Sequence, residues 1–254
     1  MTAESRLAAA LMLCVCAAVG SGRDIAVIAH RGEHLRHVEN TLPAFQAAID
    51  AGADFFECDV RTTADGRLVL MHDASVDRTT GGRGRISELT FDSIRSLHAG
   101  DSAVPTFDEA LRIAKGRIGV YVDYKEASPD AIVAAIDAAD MGEHVVIYGD
   151  PDRLMRIHAS RPEWKVMPEA EDPARLRSLA GQLRLRVAAF DSGDFQPATI
   201  DVARKAGIDI YLDCLGSEDN ERGWSEALER GAAGIQTDHP AELVSFLRSK
   251  GLHK

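Results

Sequence analysis

Seven side chains in this sequence are of the types that cleave phosphate esters, and each lies at or just after the end of a short apolar run. They are His30, Arg31, Glu57, Asp59, His72, Asp123 and Lys125. Residues two apart on a β-strand point to the same face, so Glu57 and Asp59 form one such pair. Asp123 and Lys125 form another.

These residue types together indicate a metal-assisted reaction. Carboxylates that converge in one place raise one another's pKa unless a cation lies among them. Oxygen ligands suit Mg²⁺ or Ca²⁺ better than Zn²⁺. Arg31 and Lys125 supply positive donors for an anion, and arginine favours bidentate contacts with phosphate. Two imidazoles beside such a site, His30 and His72, indicate acid–base catalysis of phosphate ester cleavage.

Each residue also has a purely structural interpretation. Glu57 and Asp59 are typical of rim carboxylates paired with arginine or lysine, and Asp123 with Lys125 is typical of a salt bridge inside a barrel. A single histidine such as His72 is more often a hydrogen-bonded structural residue than a catalyst. The coincidence of these residues at consecutive strand ends favours the functional interpretation.

The elements that would position these residues alternate regularly along the chain. Short apolar runs predict eight strands: IAVIA, FFECDV, GVYVDY, HVVIY, WKVM, RVAAF, IDIYL and AGIQT. Amphipathic stretches lie between and after them, which predicts an α/β fold, a (β/α)₈ TIM barrel whose strand ends meet at one mouth. A doubly wound open sheet is the alternative. A small excursion after the second strand breaks the alternation, and RLVLMHD within it predicts an extra strand that ends at His72.

Composition restricts the class of protein. A chain of 254 residues is long enough to bury a large core as one domain. Its 29 basic and 40 acidic residues give a net charge of −11, which argues against non-specific binding to nucleic acid or to an anionic membrane. Cys58 and Cys214 lie outside the N-terminal apolar segment, and we expect both to be buried thiols rather than a disulfide.

Residues 1–22 have the pattern of a secretory signal peptide. Arg6 precedes the apolar run LAAALMLCVCAAVG, which is short for a membrane-spanning helix, and small residues follow it where signal peptidase would cut. An N-terminal core helix and a retained membrane anchor are the alternatives. We therefore expect export to the periplasm or the extracellular space, a barrel over residues 23–254, and no stable membrane insertion after the signal is removed.

A series of motifs, in a fixed order, is more specific than any of its parts. The chain reads AHRG, ENTLPAFQAAIDAGADFFECDV, TADGRLVLMHD, DRTTGGRGRISELT, VPTFDEAL, DYK and GIQTDHP. In these it resembles the glycerophosphodiester phosphodiesterase family, from Ile25 to the last predicted helix. The resemblance implies a TIM barrel that uses a divalent cation to split a small-molecule glycerophosphodiester into sn-glycerol 3-phosphate and an alcohol.

The resemblance also implies a role for each candidate: catalytic His30 and His72, substrate-binding Arg31 and Lys125, and metal-binding Glu57, Asp59 and Asp123. The third metal ligand is aspartate here, where the family commonly has glutamate, so its reach is shorter by one methylene. Around the seventh strand the family often carries Trp and Asn, whereas this chain has Tyr211 and Asp213.

Other functions fit the same residues. A lysophospholipase D-type enzyme or another head-group phosphodiesterase is one alternative, and a barrel that only binds glycerophosphoryl groups is another. His34 and His37 are predicted to be loop residues without a catalytic role. Glu39 and the pair Asn40-Thr41 are predicted to organise the loop and to cap the first helix.

Overall fold

Strands and helices alternate along the chain in this computed structural model, which describes residues 24–169, 172–191 and 196–254. The strands within these ranges are β1 Ala26–Ala29, β2 Phe55–Thr62, β3 Leu68–Leu70, β4 His98–Ala99, β5 Ser102–Ala103, β6 Gly119–Glu126, β7 Val145–Tyr148, β8 Lys165–Met167, β9 Val187–Asp191, β10 Asp209–Asp213 and β11 Gly234–Thr237. The predicted signal segment, residues 1–22, lies outside the described residues.

The α-helices of the same ranges follow the strands in turn. They are α1 Leu42–Ala51, α2 Phe91–Arg95, α3 Phe107–Ala114, α4 Pro129–Ala139, α5 Pro151–Ser160, α6 Pro173–Leu183, α7 Pro197–Ala206, α8 Glu221–Arg230 and α9 Pro240–Ser249. Several of them begin with proline, which suits the first helical position because the amide it lacks would have no partner there. Short 3₁₀ turns occupy Ile86–Glu88, Gly142–His144 and Gly216–Glu218.

Eight parallel strands form the barrel, and their order in the sheet follows the chain: β1, β2, β6, β7, β8, β9, β10, β11 and back to β1. The ring closes between β8 and β9, where Glu169 and Ala189 form a parallel bridge and the amide of Ala189 donates to the carbonyl of Pro168 at 3.3 Å. The predicted (β/α)₈ TIM barrel is confirmed. The doubly wound alternative is wrong, because an open sheet would leave its two outermost strands unpaired.

Two apolar layers hold the barrel together. Alternate strand residues fill its interior, with Ile28, Tyr121, Val146 and Met167 at the centre. The intervening residues pack against the surrounding helices, as Val122 does on β6. Burial of each large apolar side chain stabilises the fold by about 1.5–3 kcal/mol. This alternation directs the polar residues at the strand ends into the mouth.

The excursion after β2 is a small subdomain with its own apolar centre. Strand β3 pairs antiparallel with the end of β2, as RLVLMHD predicts, and its turn uses Gly66 at a positive φ of 82°. Val69, Met71 and Ile94 are buried beneath the excursion. This packing fixes the chain just before His72.

The two cysteines of the described residues are buried as expected, with free thiols. Cys58 faces the helices, so its neighbours Glu57 and Asp59 face the barrel interior. Within the ranges that the structure describes, no helix combines the length and the apolar character needed to cross a bilayer.

Candidate active site at the barrel mouth

The first catalytic candidate, His30, follows directly on β1, and its imidazole is held by a carboxylate from the other end of the chain. Ala29 is paired in register with Thr237, so the residues after these strands are neighbours. His30 Nδ1 lies 2.7 Å from Oδ1 of Asp238. Burial acts to raise the pKa of Asp238, but the hydrogen bond with His30 and the charges of His30, His34 and His239 together leave that pKa below its ordinary value. Asp238 is therefore an anion that orients the ring.

Asp238 is itself fixed from behind by a buried acid. The backbone amide of Asp238 donates to Oδ2 of Asp219 at 2.6 Å. The other oxygen of Asp219 accepts from the Trp224 indole at 2.8 Å and from the Thr237 hydroxyl at 2.5 Å. These bonds connect the start of α8 to the end of β11 and hold the His30 partner in place.

His34 lies in the loop between β1 and α1, as predicted, and it also contacts this group. Its Nδ1 donates to the backbone carbonyl of His30 at 2.8 Å, and its Nε2 lies 3.6 Å from Oδ1 of Asp238. The rings of His30 and His34 meet edge to face with centroids 5.6 Å apart. His37 is exposed and makes no such contact, in agreement with its prediction.

The three predicted metal ligands converge in the mouth. Glu57 and Asp59 are buried in the middle of β2, Asp123 lies beside them on β6, and one ligand oxygen of each lies within 4.8 Å of the others. Burial, reinforced by the charges of Asp59 and Asp123, raises the pKa of Glu57 well above its ordinary value. Burial likewise raises the pKa of Asp123. This crowding of negative charge in a buried place is the condition that a divalent cation relieves.

The chemistry of this donor set fits a hard cation. All three ligands are carboxylates, which suit Mg²⁺ or Ca²⁺ rather than a thiolate- or imidazole-seeking ion. The positive charge nearest to them is Lys125, whose ammonium lies 2.5 Å from Asp123 and 3.3 Å from Asp59. Burial acts to lower the pKa of Lys125. The two carboxylates together outweigh this effect and raise that pKa above its ordinary value, so the side chain remains charged.

Arg31 connects the histidine side of the mouth to the carboxylates. Its backbone has a positive φ of 54°, which lets its amide donate to Glu57 at 2.8 Å. Its guanidinium bonds Glu39 at 3.1 Å and lies 3.7 Å from Asp59. The buried Nε of Arg31 has no hydrogen-bond acceptor among the described residues. The side chain as a whole is 18% exposed, so its guanidinium can also contact an anionic substrate in the mouth.

Asn40 is predicted to help cap the first helix, but its side chain bonds Asp59 instead. Its side-chain amide donates to the Asp59 carboxylate at 2.7 Å and its oxygen accepts from the Asp59 backbone amide at 3.0 Å. The helix cap is Thr41 alone, which accepts from Ala44. Asn40 therefore orients a predicted metal ligand.

The second catalytic candidate, His72, is also held through Nδ1 by a carboxylate. His72 Nδ1 lies 2.8 Å from Asp73 Oδ1, and Arg78 holds both oxygens of Asp73 at 2.7 and 3.1 Å. Hydrogen bonds from Arg78 and His72 keep the pKa of Asp73 well below its usual range. Behind the ring, the buried Arg61 donates to the His72 carbonyl.

Arg78 extends this arrangement to Arg31 through Glu39. It makes a bidentate pair with Glu39 at 2.6 and 2.9 Å. Burial acts to raise the pKa of Glu39, yet Arg78 and Arg31 lower it below its ordinary value. Glu39 contacts these two arginines and neither His30 nor His72, so a hydrogen-bonded chain joins Arg31 to the second histidine.

The opposite side of the mouth is acidic too. Glu169, Asp191 and Asp213 lie at the ends of β8, β9 and β10. Burial, together with the charges of Asp191 and Asp123, raises the pKa of Asp213 to about 7. Asp213 is thus partly protonated near neutral pH, which lessens its repulsion of a phosphate.

All seven predicted site residues face this one mouth. Sequence reasoning missed Asp238, Asp219, Arg61 and Arg78. The contact of Asp238 with His30 could have been predicted, because in a closed barrel the residue after the last strand lies beside the residue after the first strand. The contacts of Arg78 could not have been predicted, since its partners depend on the path of the excursion.

Comparison with known proteins relates the chain as a whole to phosphodiesterases. Residues 30–242 match the Glycerophosphoryl diester phosphodiesterase family. A Mycobacterium tuberculosis protein named "Probable glycerophosphodiester phosphodiesterase 1" is 47% identical over 87% of this chain and 92% of its own length. A glycerophosphodiester phosphodiesterase of Caldanaerobacter subterraneus is 28% identical over 89% of this chain and 98% of its own.

Solved structures agree on the fold. A glycerophosphodiester phosphodiesterase from Agrobacterium tumefaciens superposes with a TM-score of 0.76 at 27% identity, over 85% of this chain and 97% of that one. A phosphodiesterase from Oleispira antarctica, crystallised with its product sn-glycerol-3-phosphate, superposes with a TM-score of 0.78 at 21% identity, over 89% and 97%.

Proposed function

Because this chain belongs to the Glycerophosphoryl diester phosphodiesterase family and is a phosphoric diester hydrolase, we propose that His30 and His72 catalyse the cleavage with a divalent cation bound beside them. The products are sn-glycerol 3-phosphate and an alcohol. The Oleispira antarctica structure, similar in fold, holds the first of these products. The observation that carries the proposal is a pair of carboxylate-held histidines on the rim of one mouth that also contains three clustered carboxylates, Arg31 and Lys125.

The two histidines divide the proton transfers. A carboxylate only accepts hydrogen bonds, so Asp238 and Asp73 keep the proton of each neutral ring on Nδ1 and leave a lone pair on Nε2. One imidazole takes the proton of the attacking hydroxyl, which is either water or the 2-hydroxyl of the glycerol. The other, as imidazolium, protonates the departing alkoxide. Such acid–base help is worth about 10²–10⁴-fold in rate.

The cations of the site act on the phosphate. Arg31 donates to the phosphoryl oxygens, and Lys125 offsets the charge that builds on them. Glu57, Asp59 and Asp123 would hold Mg²⁺ or Ca²⁺, which when bound neutralises phosphoryl charge and orients the ester.

The test is turnover by the purified chain of glycerophosphocholine, glycerophosphoethanolamine and glycerophosphoglycerol, with and without chelator. We expect hydrolysis that chelation stops and that Mg²⁺, Ca²⁺ or Mn²⁺ restores. His30→Ala and His72→Ala should each reduce kcat at least 10²-fold, whereas His37→Ala in the same loop should not. If the wild-type chain binds these diesters but turns none of them over with any of the ions, it is a binding barrel.

A single exposed leucine favours lysolipids as a second substrate class. Leu35 is 54% exposed in the loop between β1 and α1, and it is the one large apolar side chain exposed among the described residues. An acyl chain lying against it would lose contact with water. Leu35→Ser should then lower kcat/KM for a lysophospholipid and leave glycerophosphocholine turnover unchanged; equal effects on both would exclude this class.

The N-terminal pattern supports export as a further part of the proposal. Expression of the whole chain with its first 22 residues should yield a shortened protein outside the cytoplasm. N-terminal sequencing of the product checks this, and an intact N-terminus in the cytoplasmic fraction would contradict it.

A further inference from the structure

His30, His34 and Asp238 form a second cluster of metal-ligating side chains, separate from the carboxylate cluster. One ligand atom of each lies within 4.8 Å of the others. His34 Nδ1 must be protonated, because its partner at 2.8 Å is the carbonyl of His30 and a carbonyl only accepts. A neutral His34 therefore presents the lone pair of Nε2 to Oδ1 of Asp238 at 3.6 Å. Two acceptors that face each other at this distance call for a positive charge between them.

We propose that this cluster is a binding site for a transition-metal ion of the Zn²⁺ type. Two imidazoles and one carboxylate, with water in the fourth position, are a ligand set that zinc prefers. Mg²⁺ and Ca²⁺ prefer oxygen ligands, so they favour Glu57, Asp59 and Asp123 instead. The mouth thus offers two sites of different ligand chemistry.

The geometry requires little rearrangement. Ligand atoms about 2.0–2.2 Å from a tetrahedral zinc lie about 3.4 Å from one another. The separation of 3.6 Å between His34 Nε2 and Asp238 Oδ1 is within about 0.2 Å of this value. The separation of 2.7 Å between His30 Nδ1 and the same oxygen has to open by a fraction of an ångström, which a small rotation of the carboxylate provides. The side chains of His30, His34 and Asp238 are 15%, 20% and 26% exposed, so an ion can reach them.

The surrounding bonds hold two of the three ligands in place. The bond from Nδ1 to the His30 carbonyl fixes the His34 ring and directs its Nε2 inward. The backbone amide of Asp238 donates to Asp219, so the backbone that carries the Asp238 carboxylate is held in place. Partners of this kind commonly orient the ligands of metal sites.

Occupancy of this site would stop the proposed reaction, an effect that rests on the proposed role of His30. A metal at Nδ1 displaces the proton that Asp238 holds there, and the neutral ring takes up a proton at Nε2, with no net change. Nε2 then has no lone pair to accept a proton from the attacking hydroxyl. The ion would therefore inhibit without competing with Mg²⁺ or Ca²⁺ for the carboxylates.

Direct zinc binding tests the site without reference to activity. Zinc affinity would be measured at neutral pH by competition with a chromophoric chelator, for the wild-type chain, His34→Ala, His37→Ala and Glu57→Gln. We expect His34→Ala to lose a zinc site, with at least a tenfold weaker affinity, and His37→Ala and Glu57→Gln to keep it. Circular dichroism confirms that each variant is folded, and His34→Asn, which keeps a donor for the His30 carbonyl, serves if the alanine variant is not. Zinc binding by folded His34→Ala or His34→Asn equal to that of the wild-type chain would overturn the proposal.

Inhibition separates this proposal from the proposed function. Hydrolysis of glycerophosphocholine would be followed in saturating Mg²⁺ with increasing Zn²⁺, and each variant compared with its own rate without zinc. We expect the zinc concentration for half-inhibition to rise at least tenfold in His34→Ala and to stay unchanged in His37→Ala. Zinc that binds through His34 but leaves turnover intact would support the site and contradict the role of His30 in catalysis. Equal inhibition of the wild-type chain, His34→Ala and His37→Ala would overturn the inhibitory role of this site and show that zinc acts elsewhere, as at the carboxylates.

Discussion

His30 and Asp238 are 208 residues apart in the chain, and their side chains meet at 2.7 Å. The barrel brings them together because its first and last strands are neighbours, with Ala29 opposite Thr237. His72 has a local counterpart in Asp73, the next residue. Both proposed catalytic histidines therefore have the same tautomer imposed on them, one by the closure of the fold and one by the adjacent residue.

Replacing Asp238 by asparagine tests this relationship. An amide can turn its NH₂ group towards His30 Nδ1, which moves the ring proton to Nε2 and removes the proposed base. We expect Asp238→Asn to lower kcat by about 10²–10⁴-fold with KM changed little. Steady-state kinetics checks this, with Asp140→Asn as the matched control, because Asp140 is the exposed residue that follows α4. A rise in KM with kcat unchanged would mean that Asp238 contacts the substrate instead.

Arg78 should be sensitive even to a charge-conserving change. Its guanidinium bonds Asp73 and Glu39 at once, a geometry that the single ammonium of lysine cannot reproduce. We expect Arg78→Lys to lower kcat/KM roughly tenfold, because both His72 and Arg31 lose a fixed neighbour.

Arg83→Lys provides the comparison for Arg78→Lys, since Arg83 lies in the same excursion and is 91% exposed. It should behave as the wild-type chain in the same assay. Equal losses in the two variants would show that the excursion is sensitive to any replacement of arginine by lysine, and the bidentate bonds of Arg78 would then not be the cause.

The fold, and the position of the seven candidate residues at one mouth, could be predicted from the sequence because their signals are local. Each strand is an apolar run, and residues two apart on it share a face, so Glu57, Asp59 and Asp123 are directed into the mouth by periodicity alone. The partners of these residues could not be obtained in this way. Whether Glu39 bonds a histidine or an arginine depends on where the excursion brings Arg78, 39 residues further along. The contact of His34 with Asp238 cannot be predicted from the loop sequence for the same reason, since it exists only in the closed barrel.

Asn40 should be required for the stability of the site. Its side-chain amide bonds both the backbone amide and the carboxylate of buried Asp59, so Asn40→Ala removes two buried hydrogen bonds. We expect a loss of about 2–4 kcal/mol in the free energy of unfolding, measured by urea denaturation in chelator. Asn40 has a φ of 56°, which glycine adopts more readily than alanine. Asn40→Gly should therefore be more stable than Asn40→Ala by about 1 kcal/mol.

Asp213 should destabilise the protein as the pH rises. Its folded-state pKa is raised by burial, and by Asp191 and Asp123, to about 7 from an ordinary 3.8. Between these values the folded protein binds more protons than the unfolded chain, so the free energy of unfolding falls with increasing pH. Below about pH 4 the aspartate is protonated in both states and has no effect, and above pH 7 the loss is complete.

Asp213→Asn removes the charge and should therefore stabilise the protein, with a gain that grows from pH 5 to pH 7 and then levels off. The gain at pH 8 is up to about 4 kcal/mol. Thermal unfolding across this range, in chelator so that a bound cation does not offset the carboxylates, checks the slope. Asp201→Asn on the exposed face of α7 is the control and should show no pH-dependent gain, because its side chain is 60% exposed. A gain for Asp213→Asn that is the same at pH 5 and pH 8 would mean that the substitution acts through packing and that the buried charge is not the cause.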